Sequence, residues 1–293
     1  MNDFRKKPGI DRSGIKEVFI EGLLLISALA SILAIFLIII FVFAKGLPLI
    51  AKVGVFKFLF SSTWDPVNGQ FGIATMIAGS LAITLGALIW AVPLGLALSI
   101  FLSEIASPRI KGIMVPMIEL LAGLPSVIYG FFGLVIIVPF IRDYLGGPGF
   151  SILAGSVILG IMVLPTIVNI ARDAITVVPR EYREGSLALG ATQWETISRI
   201  VLPSASSGII TAIVLGMGRA VGETMAVVLI TGNVTRMPES ILSPVRSMTG
   251  NVVLEMGYAT GDHQLALFAT GVVLFVFIII LNALVSVGRK ERV

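Results

Sequence analysis

The residues best suited to chemistry inside a membrane are an arginine and a glutamate four positions apart, Arg219 and Glu223. They lie within an apolar run of about residues 207–230. Positions i and i+4 share one face of a helix. Because a charge in hydrocarbon costs about 2.5–3.5 kcal/mol, that face is predicted to meet protein or water. Either the pair is a structural ion pair, or Arg219 offers its planar donor fork to a passing anion while Glu223 holds the guanidinium in place.

Other reactive groups are sparse. The 293 residues include no cysteine and one histidine, His263, so disulfides, thiol nucleophiles and metal clusters of these residues are excluded. We assign no catalytic residue and no metal ligand. Gly218 and Gly222 have the small-xxx-small spacing of helix packing, and we interpret them as packing residues of the 207–230 span.

A second segment stands out because it is polar between two apolar runs, Glu184 to Pro203. A loop of this size is too long for a simple turn. Residues 181–189 are predicted to form a short helix, which Gly190 ends in a left-handed conformation.

A second short helix is predicted from about Thr192, with Trp194, Ile197 and Val201 on one face. Pro203 is expected to stop it and to turn the chain back towards the membrane. Two interpretations remain open for the whole segment. It is either a compact helical bracket on which a partner docks, or an amphipathic helix that lies on the inner leaflet.

The elements that position these groups are membrane spans. The chain is 56% hydrophobic and 13% charged, against about 25% charged residues in soluble domains, so an all-α integral membrane protein is predicted. Six runs are long enough to cross about 30 Å of hydrocarbon. They lie at about 20–44, 73–102, 113–140, 151–170, 207–230 and 265–287.

The chain thus divides into a tail, residues 1–19, and one transmembrane domain, residues 20–293. The first apolar run is too long for a signal-peptide core and is expected to be retained. Basic residues outside the spans number fourteen on the side of the tail and six on the other, with Arg219 inside a span. By the positive-inside rule both termini and the loop 172–206 are expected in the cytoplasm, and nucleic acid is not expected as a partner.

The polar loop carries a motif. Glu184, Gly190, Ile200, Leu202 and Pro203 have the spacing Glu-x5-Gly-x9-Ile-x-Leu-Pro, which resembles the "EAA" loop of permease subunits in type I ABC importers. The two residues after Glu184 are small, Gly185 and Ser186, where the family pattern has alanines. The resemblance implies a MetI-like fold of six helices and a coupling loop that fits into a cleft of a cytoplasmic ATPase.

Three more segments indicate which group of permeases within this family the chain resembles. GMGRAVGETMAVVLITGN (216–233), LLAGLPSVIYGFFGL (120–134) and the loop from Trp64 to Ile73 resemble PstC-type permeases of phosphate ABC importers. The sister PstA-type permeases usually continue Gly-Glu-Thr with Ala-Pro, whereas this chain has Met225-Ala226. The resemblance covers most of residues 55–290.

The family implies an assembly in the cytoplasmic (inner) membrane. Its other members are a PstA-like permease, two PstB-like ATPases and a PstS-like phosphate-binding protein on the outer face. No G-x4-G-K-[ST] phosphate loop occurs in the sequence, so ATP is expected to be bound and hydrolysed by the partner subunit. This chain is expected to be a transport subunit with no cofactor of its own.

Three alternatives remain at this point. One is the permease of a related importer for another oxyanion, such as molybdate or sulfate. The second is an ion-gradient-driven secondary transporter in which Arg219 and Glu223 form the coupling pair. Such proteins often have inverted repeats and broken helices in both halves, and the sequence gives no sign of either. The third is a membrane scaffold or sensor, which would need neither a buried charge pair nor a docking bracket.

Overall fold

The computed structural model describes residues 12–290, with side chains from 19 to 283. The predicted tail, 1–19, lies largely outside the described residues, and its last part already belongs to the first helix. The helices in chain order are α1 (Arg12–Val53), α2 (Val55–Phe60), α3 (Ala74–Ile100), α4 (Pro108–Gly123), α5 (Ser126–Phe132), α6 (Val138–Tyr144), α7 (Ile152–Thr176), α8 (Arg180–Ala188), α9 (Gln193–Thr196), α10 (Leu202–Ser204), α11 (Ser206–Gly222), α12 (Met225–Ile230), α13 (Met248–Glu255) and α14 (Gly261–Lys290).

Within the described residues, five helical stretches are long and apolar enough to cross a membrane, and a bent pair of helices makes a sixth. The bent pair joins Gln193–Ser204 to Ser206–Gly222 at an angle of 70°. The five are Phe19–Val53, Ala74–Ile105, Ser126–Tyr144, Ile152–Thr176 and Gly261–Ala283. The predicted all-α membrane fold is confirmed, and the predicted count of six spans is reached when the bent pair is counted as one span.

The centre of the fold is the contact between α3 and α7, and small residues allow it. A Cβ on Gly160 would meet the ring of Trp90 at 2.2 Å, and one on Gly86 would meet Ser156 Oγ at 2.2 Å. Ala87, Ala91 and Val163 are fully buried between the two helices. Glycine and alanine therefore let the backbones approach closely, as is typical of membrane helices.

The first and last helices pack on each other at one side of the molecule. Phe41 lies edge-on to Phe268 with ring centroids 5.5 Å apart, and a Cβ on Gly46 would meet Ala269 Cα at 2.9 Å. Most other side chains of α1 between residues 19 and 41 are exposed and apolar. An apolar surface of this extent indicates contact with lipid.

Two predicted spans are not continuous helices, and the expectation for each was wrong. The run 113–140 is interrupted at Leu124–Pro125, between α4 and α5, because proline removes a backbone donor and disfavours a helical residue before it. The π-helical segment Gly133–Ile137 joins α5 to α6. The run 207–230 is interrupted at Glu223–Thr224, between α11 and α12.

The side of the molecule opposite the bracket carries short elements. Strand β1 (Trp64–Asp65) pairs antiparallel with β2 (Gln70–Phe71). Helix α13 begins with a Ser247 cap and is tied to α3, since Ser80 Oγ accepts a 2.9 Å hydrogen bond from Met248 N–H. These elements close over the ends of α3, α12 and α14.

Candidate functional site

The first part of the site is the interruption between α11 and α12. Glu223 is extended, with φ −68° and ψ 137°. Its Oε1 accepts a 3.3 Å hydrogen bond from Ala226 N–H, so the carboxylate caps the first turn of α12. Its carbonyl oxygen accepts a 2.9 Å hydrogen bond from Thr249 Oγ1 on α13. Side chains therefore satisfy the backbone groups that the break would leave unpaired.

The second interrupted helix lies directly beside the first. A Cβ on Gly130 of α5 would meet Ala226 Cα of α12 at 2.9 Å, so the two backbones touch. Tyr129 Oη donates a 2.6 Å hydrogen bond to the carbonyl of Leu121, which bridges the break at Leu124–Pro125. Paired broken helices of this kind are a feature of membrane transport sites.

Arg219 lies on the last turn of α11, next to this pair of breaks. Its side chain is exposed. Among the described residues no ion pair joins Arg219 to Glu223. The expected pairing on one helical face was wrong, because the helix ends at Gly222 and Glu223 turns to cap α12.

Glu223 instead lines a small, partly open cavity. The cavity holds about 10 Å³, which is room for about one water molecule. Hydroxyl groups of Ser80, Thr84 and Ser247 line it. Glu223 therefore lines a cavity of mixed polar and apolar residues, whereas the Arg219 side chain is exposed at the surface.

Gly218 and Gly222 do not pack against other helices of the described chain. A Cβ on either would meet no atom within 4 Å. With Leu215, which is half exposed, and Arg219 they form an open face of α11. The predicted packing role stays a prediction, and it can be fulfilled only by another molecule.

The polar loop forms a helical bracket, residues 180–204, largely as predicted. Helix α8 spans Arg180–Ala188, within one residue of the expected 181–189 at each end, and Gly190 has φ +86°, the left-handed conformation that glycine adopts without strain. Glu184 and Gly185 are exposed, whereas Ser186 is partly buried. Its hydroxyl lies 2.9 Å from Thr196 Oγ1, so the two arms of the bracket are joined.

The second arm starts with a reciprocal cap. Thr192 and Glu195 form a capping box in which each side chain accepts a hydrogen bond from the other residue's backbone N–H. Ile197 and Val201 are buried, but Trp194 is 63% exposed. Its predicted place on the same face was wrong, because the helix widens to a π-helical segment at Ile197–Val201 and the side-chain directions shift.

The end of the second arm also differs from the prediction. Pro203 lies inside α10 rather than at a stop, and the 70° bend follows at Ala205. Leu202 packs on a buried cluster that contains Ile175 and Val178, and Ile200 is half-buried. The Ile-Leu-Pro ending therefore anchors the bracket to the membrane helices.

Two carboxylates that the sequence did not single out are central to the structure. Glu104, directly after α3, binds Arg183 of the bracket at 2.6 Å. Glu255 accepts hydrogen bonds from Trp64, Arg246 and His263. The only sequence signal for Glu104 is a lone acid directly after an apolar run, and none exists for Glu255.

The Glu255 cluster holds the side opposite the bracket together. Burial alone raises the pKa of Glu255, but the hydrogen bonds from Trp64, His263 and Arg246 and the Arg246 charge outweigh it and lower the pKa below its ordinary 4.5. Among the described residues no group of three acidic or histidine side chains fits a metal ion. We interpret the cluster as structural.

The fold and the site together define the class of protein. It has up to six apolar helices, two of its helical runs are broken side by side, an exposed arginine stands at the break, and a structured polar bracket projects from one side. These are the features of a multi-pass membrane protein that serves transport rather than of a membrane anchor.

Comparison with known proteins identifies the family. Residues 91–288, more than half of the chain, match the family described as "Binding-protein-dependent transport system inner membrane component", and the chain belongs to this family. It is 41% identical over 280 residues to a probable ABC transporter permease protein, YqgH, of Bacillus subtilis, covering 91% of each chain. It is 35% identical over 254 residues to the phosphate transport system permease protein PstC of Pasteurella multocida, covering 80% and 78%.

Solved structures with the same fold are transporter subunits. The chain aligns with a bacterial ABC transporter involved in alginate import with a TM-score of 0.62 and 17% identity, covering 93% and 98% of the two chains. It aligns with the MetNI methionine ABC transporter with a TM-score of 0.56 and 18% identity, covering 76% and 94%. The predicted MetI-like permease fold and the resemblance to PstC-type permeases are confirmed.

Proposed function

We propose that this chain is a permease subunit of an ATP-driven importer that carries inorganic phosphate into the cytoplasm. The observation that carries the proposal is the exposed guanidinium of Arg219 beside the two broken helices. A guanidinium offers five N–H donors in a planar fork that matches phosphate oxygens. Relatives named as phosphate permeases support phosphate as the anion.

The loop of residues 178–203, which contains nearly all of the bracket, is the proposed contact with a separate ATPase. It is built from short helices held by a capping box and by Gly190. Its outer surface carries Leu187, Leu189 and Trp194, all of them exposed. Apolar side chains on a well-formed polar bracket suit a protein cleft better than bulk water.

The orientation follows from the distribution of basic residues. The sequence predicts fourteen basic residues on the bracket side and six on the other, and on this basis we propose that the bracket and both termini are cytoplasmic. The Trp64–Glu255 side then faces outward, where a binding protein would deliver phosphate. The membrane is the cytoplasmic (inner) membrane of the cell.

A second permease completes the path. Gly218 and Gly222 leave the Arg219 face of α11 open, and close approach of a partner helix is what small residues permit. We therefore place a PstA-like permease against this face, with two PstB-like ATPases on the brackets and a PstS-like binding protein outside. ATP and its hydrolysis belong to the ATPases.

Transport would proceed by alternating access. Closure of the ATPase dimer on ATP moves the two brackets together and opens the path outward, so that phosphate reaches Arg219. Hydrolysis releases the brackets and opens the path inward. Such a cycle needs rigid elements between bracket and site.

The test is a reconstituted complex in proteoliposomes. We would measure ATP hydrolysis stimulated by phosphate-loaded binding protein, with and without Gly190→Val. A β-branched residue at φ +86° is strained, so the variant should lose the stimulation. Stimulation by molybdate or sulfate alone would assign another oxyanion, and failure of any ATPase to co-purify would overturn the importer.

A further inference from the structure

The strongest unassigned contact joins the end of α3 to the bracket. Glu104 and Arg183 are 79 residues apart and form a two-point contact, with Arg183 Nη2 to Glu104 Oε1 at 2.6 Å and Nε to Oε2 at 3.1 Å. Their side chains are 11% and 20% exposed. Paired fork-to-carboxylate geometry fixes direction as well as distance.

Every donor of the Arg183 guanidinium is used. Besides the two bonds to Glu104, Nη2 donates to the Ile175 carbonyl at 3.0 Å, and Nη1 donates to the carbonyls of Val178 at 2.6 Å and Pro179 at 3.4 Å. Ile175 belongs to the last turn of α7. One side chain on α8 therefore holds the ends of both α3 and α7.

The remaining contacts make the bracket move as one body with this anchor. Ser186 and Thr196 join its two arms at 2.9 Å. Gln193 Nε2 on the second arm reaches the backbone carbonyl of Glu104 at 3.4 Å. Both arms are thus bound to the same residue.

Helix α3 leads from this anchor to the translocation site. It has 27 residues, so it is about 40 Å long at 1.5 Å per residue. Towards its other end it carries Ser80 and Thr84, which line the cavity that Glu223 faces. The π-helical segment Phe101–Ile105, which contains Glu104, follows α3 directly, and such segments often mark functional positions.

We propose that Glu104 and Arg183 form a latch that transmits movement of the bracket to α3 and so to the Glu223 break. They are positioning residues, and the inference deepens the proposed function on which it rests. A pull or push on α8 reaches α3 directly through the latch, whereas the connecting chain from 105 to 180 alone includes the break at Leu124–Pro125.

The first test separates transport from ATP hydrolysis. In the reconstituted complex we would measure phosphate moved per ATP hydrolysed for Arg183→Lys and Glu104→Gln. Lysine keeps the charge but has three donors and no fork. We expect the ratio to fall about tenfold while hydrolysis continues. Arg142→Lys, in an exposed ion pair with Asp143, is the matched control and should leave the ratio unchanged.

Rescue by a covalent tether tests whether the role is mechanical. The chain contains no cysteine, so Glu104→Cys with Arg183→Cys introduces two defined thiols in a complex whose partners lack cysteine. A short bismaleimide linker between them should restore phosphate moved per ATP, although it restores neither charge nor hydrogen bonds. An unrestored ratio in a cross-linked sample would overturn the latch.

A third measurement does not depend on the substrate. Spin labels at Ile89→Cys on α3 and Leu187→Cys on the bracket, both exposed positions, report the distance between the two bodies. We expect one narrow distribution in the otherwise native chain and a broad one with Arg183→Lys. Equal widths would refute the latch. If phosphate-loaded binding protein failed to stimulate ATP hydrolysis by the wild-type complex, the proposed function would be overturned. The comparison of the two distance distributions would still test the latch.

Discussion

At the scale of single residues, the role of a polar side chain depends on the group to which it hydrogen-bonds. Glu223 caps α12 through Ala226 N–H, and Arg219 is left exposed on the neighbouring turn. The two residues therefore have separate roles although they are four positions apart. In the proposed function the guanidinium meets the anion, whereas the carboxylate caps the helix that follows the break.

The role of Arg219 predicts graded losses of uptake. Arg219→Lys keeps the charge without the donor fork, and Arg219→Ala removes both. Because a hydrogen bond to a charged group contributes about 1.5–3 kcal/mol, we expect phosphate uptake to fall roughly 10- to 100-fold in the alanine variant and less in the lysine variant. Uptake of labelled phosphate in cells lacking other phosphate transporters would measure this.

The controls for this prediction are insertion and assembly. Arg236→Lys, an exposed arginine of the opposite loop, should transport normally, and pull-down should recover equal amounts of every complex. Glu223→Gln should also reduce uptake while the complex still assembles. Normal uptake by Arg219→Ala would show that the arginine is structural.

The Glu255 cluster predicts a stability that depends on pH. The pKa of Glu255 is below 4.5 in the folded protein, so its contribution is complete above about pH 4.5. It is lost as the pH falls through the folded pKa, because the unfolded state then binds more protons. Glu255→Gln removes the charge-assisted bonds and should lower stability at pH 7 by about 1.5–3 kcal/mol.

Thermal unfolding of the detergent-solubilised protein between pH 3.5 and 7 would measure both effects. Glu239→Gln, an exposed glutamate on the same side, is the matched control and should unfold like the wild type. If Glu255→Gln had the wild-type midpoint at pH 7, the cluster would contribute nothing to stability.

At the scale of elements, the contact between the broken helices depends on a glycine. Gly130 of α5 lies against the backbone of Ala226 in α12. A larger residue must separate the two half-helices, since backbone atoms on a short helix cannot move aside as a flexible side chain does. The distance between the breaks is therefore set by this position.

Gly130→Ala should impair transport more than folding. Insertion of the extra methyl group into a packed contact costs about 1–3 kcal/mol. The resulting displacement of α5 from α12 occurs next to the two helix breaks. Phosphate uptake and thermal midpoint would be measured together. Gly112→Ala, where an added Cβ meets nothing within 4 Å, should leave both unchanged. Equal behaviour of the two variants would mean that the close contact has no role.

At the scale of the whole molecule, the open face of α11 is the surface on which we expect a second permease to bind. The face combines a charge, two glycines and Leu215, and a charge facing lipid is costly. A second permease that covers this face would remove Arg219 from lipid and enclose a path between two chains. Under the proposed function, the path is complete only when this partner is bound.

Gly222→Leu should weaken association with the partner permease. The leucine fits this chain without a clash, because no atom lies within 4 Å of the Cβ position, but it fills the space for a partner helix. Co-purification with a tagged partner would measure the loss, and we expect at least a tenfold decrease, about 1.4 kcal/mol. Gly22→Leu on α1, also open, should associate normally, and full recovery of Gly222→Leu would place the partner elsewhere.

The sequence alone determined two kinds of feature: those that depend on neighbouring residues, and those that depend on composition averaged over long segments. Composition and apolar run length established the membrane class and the approximate spans. Turn chemistry predicted the bracket, because Gly190 and the segment 181–189 obey rules that need no tertiary contact. The spacing from Glu184 to Pro203 identified the permease family before the comparison with known proteins.

Only the tertiary structure decided how the interior is connected. The breaks at Leu124–Pro125 and Glu223–Thr224 lie inside apolar runs, where hydropathy does not change at the point of interruption. Contacts such as Glu104–Arg183 join residues that are distant along the chain. Their partners depend on how helices pack, so no local pattern could predict them.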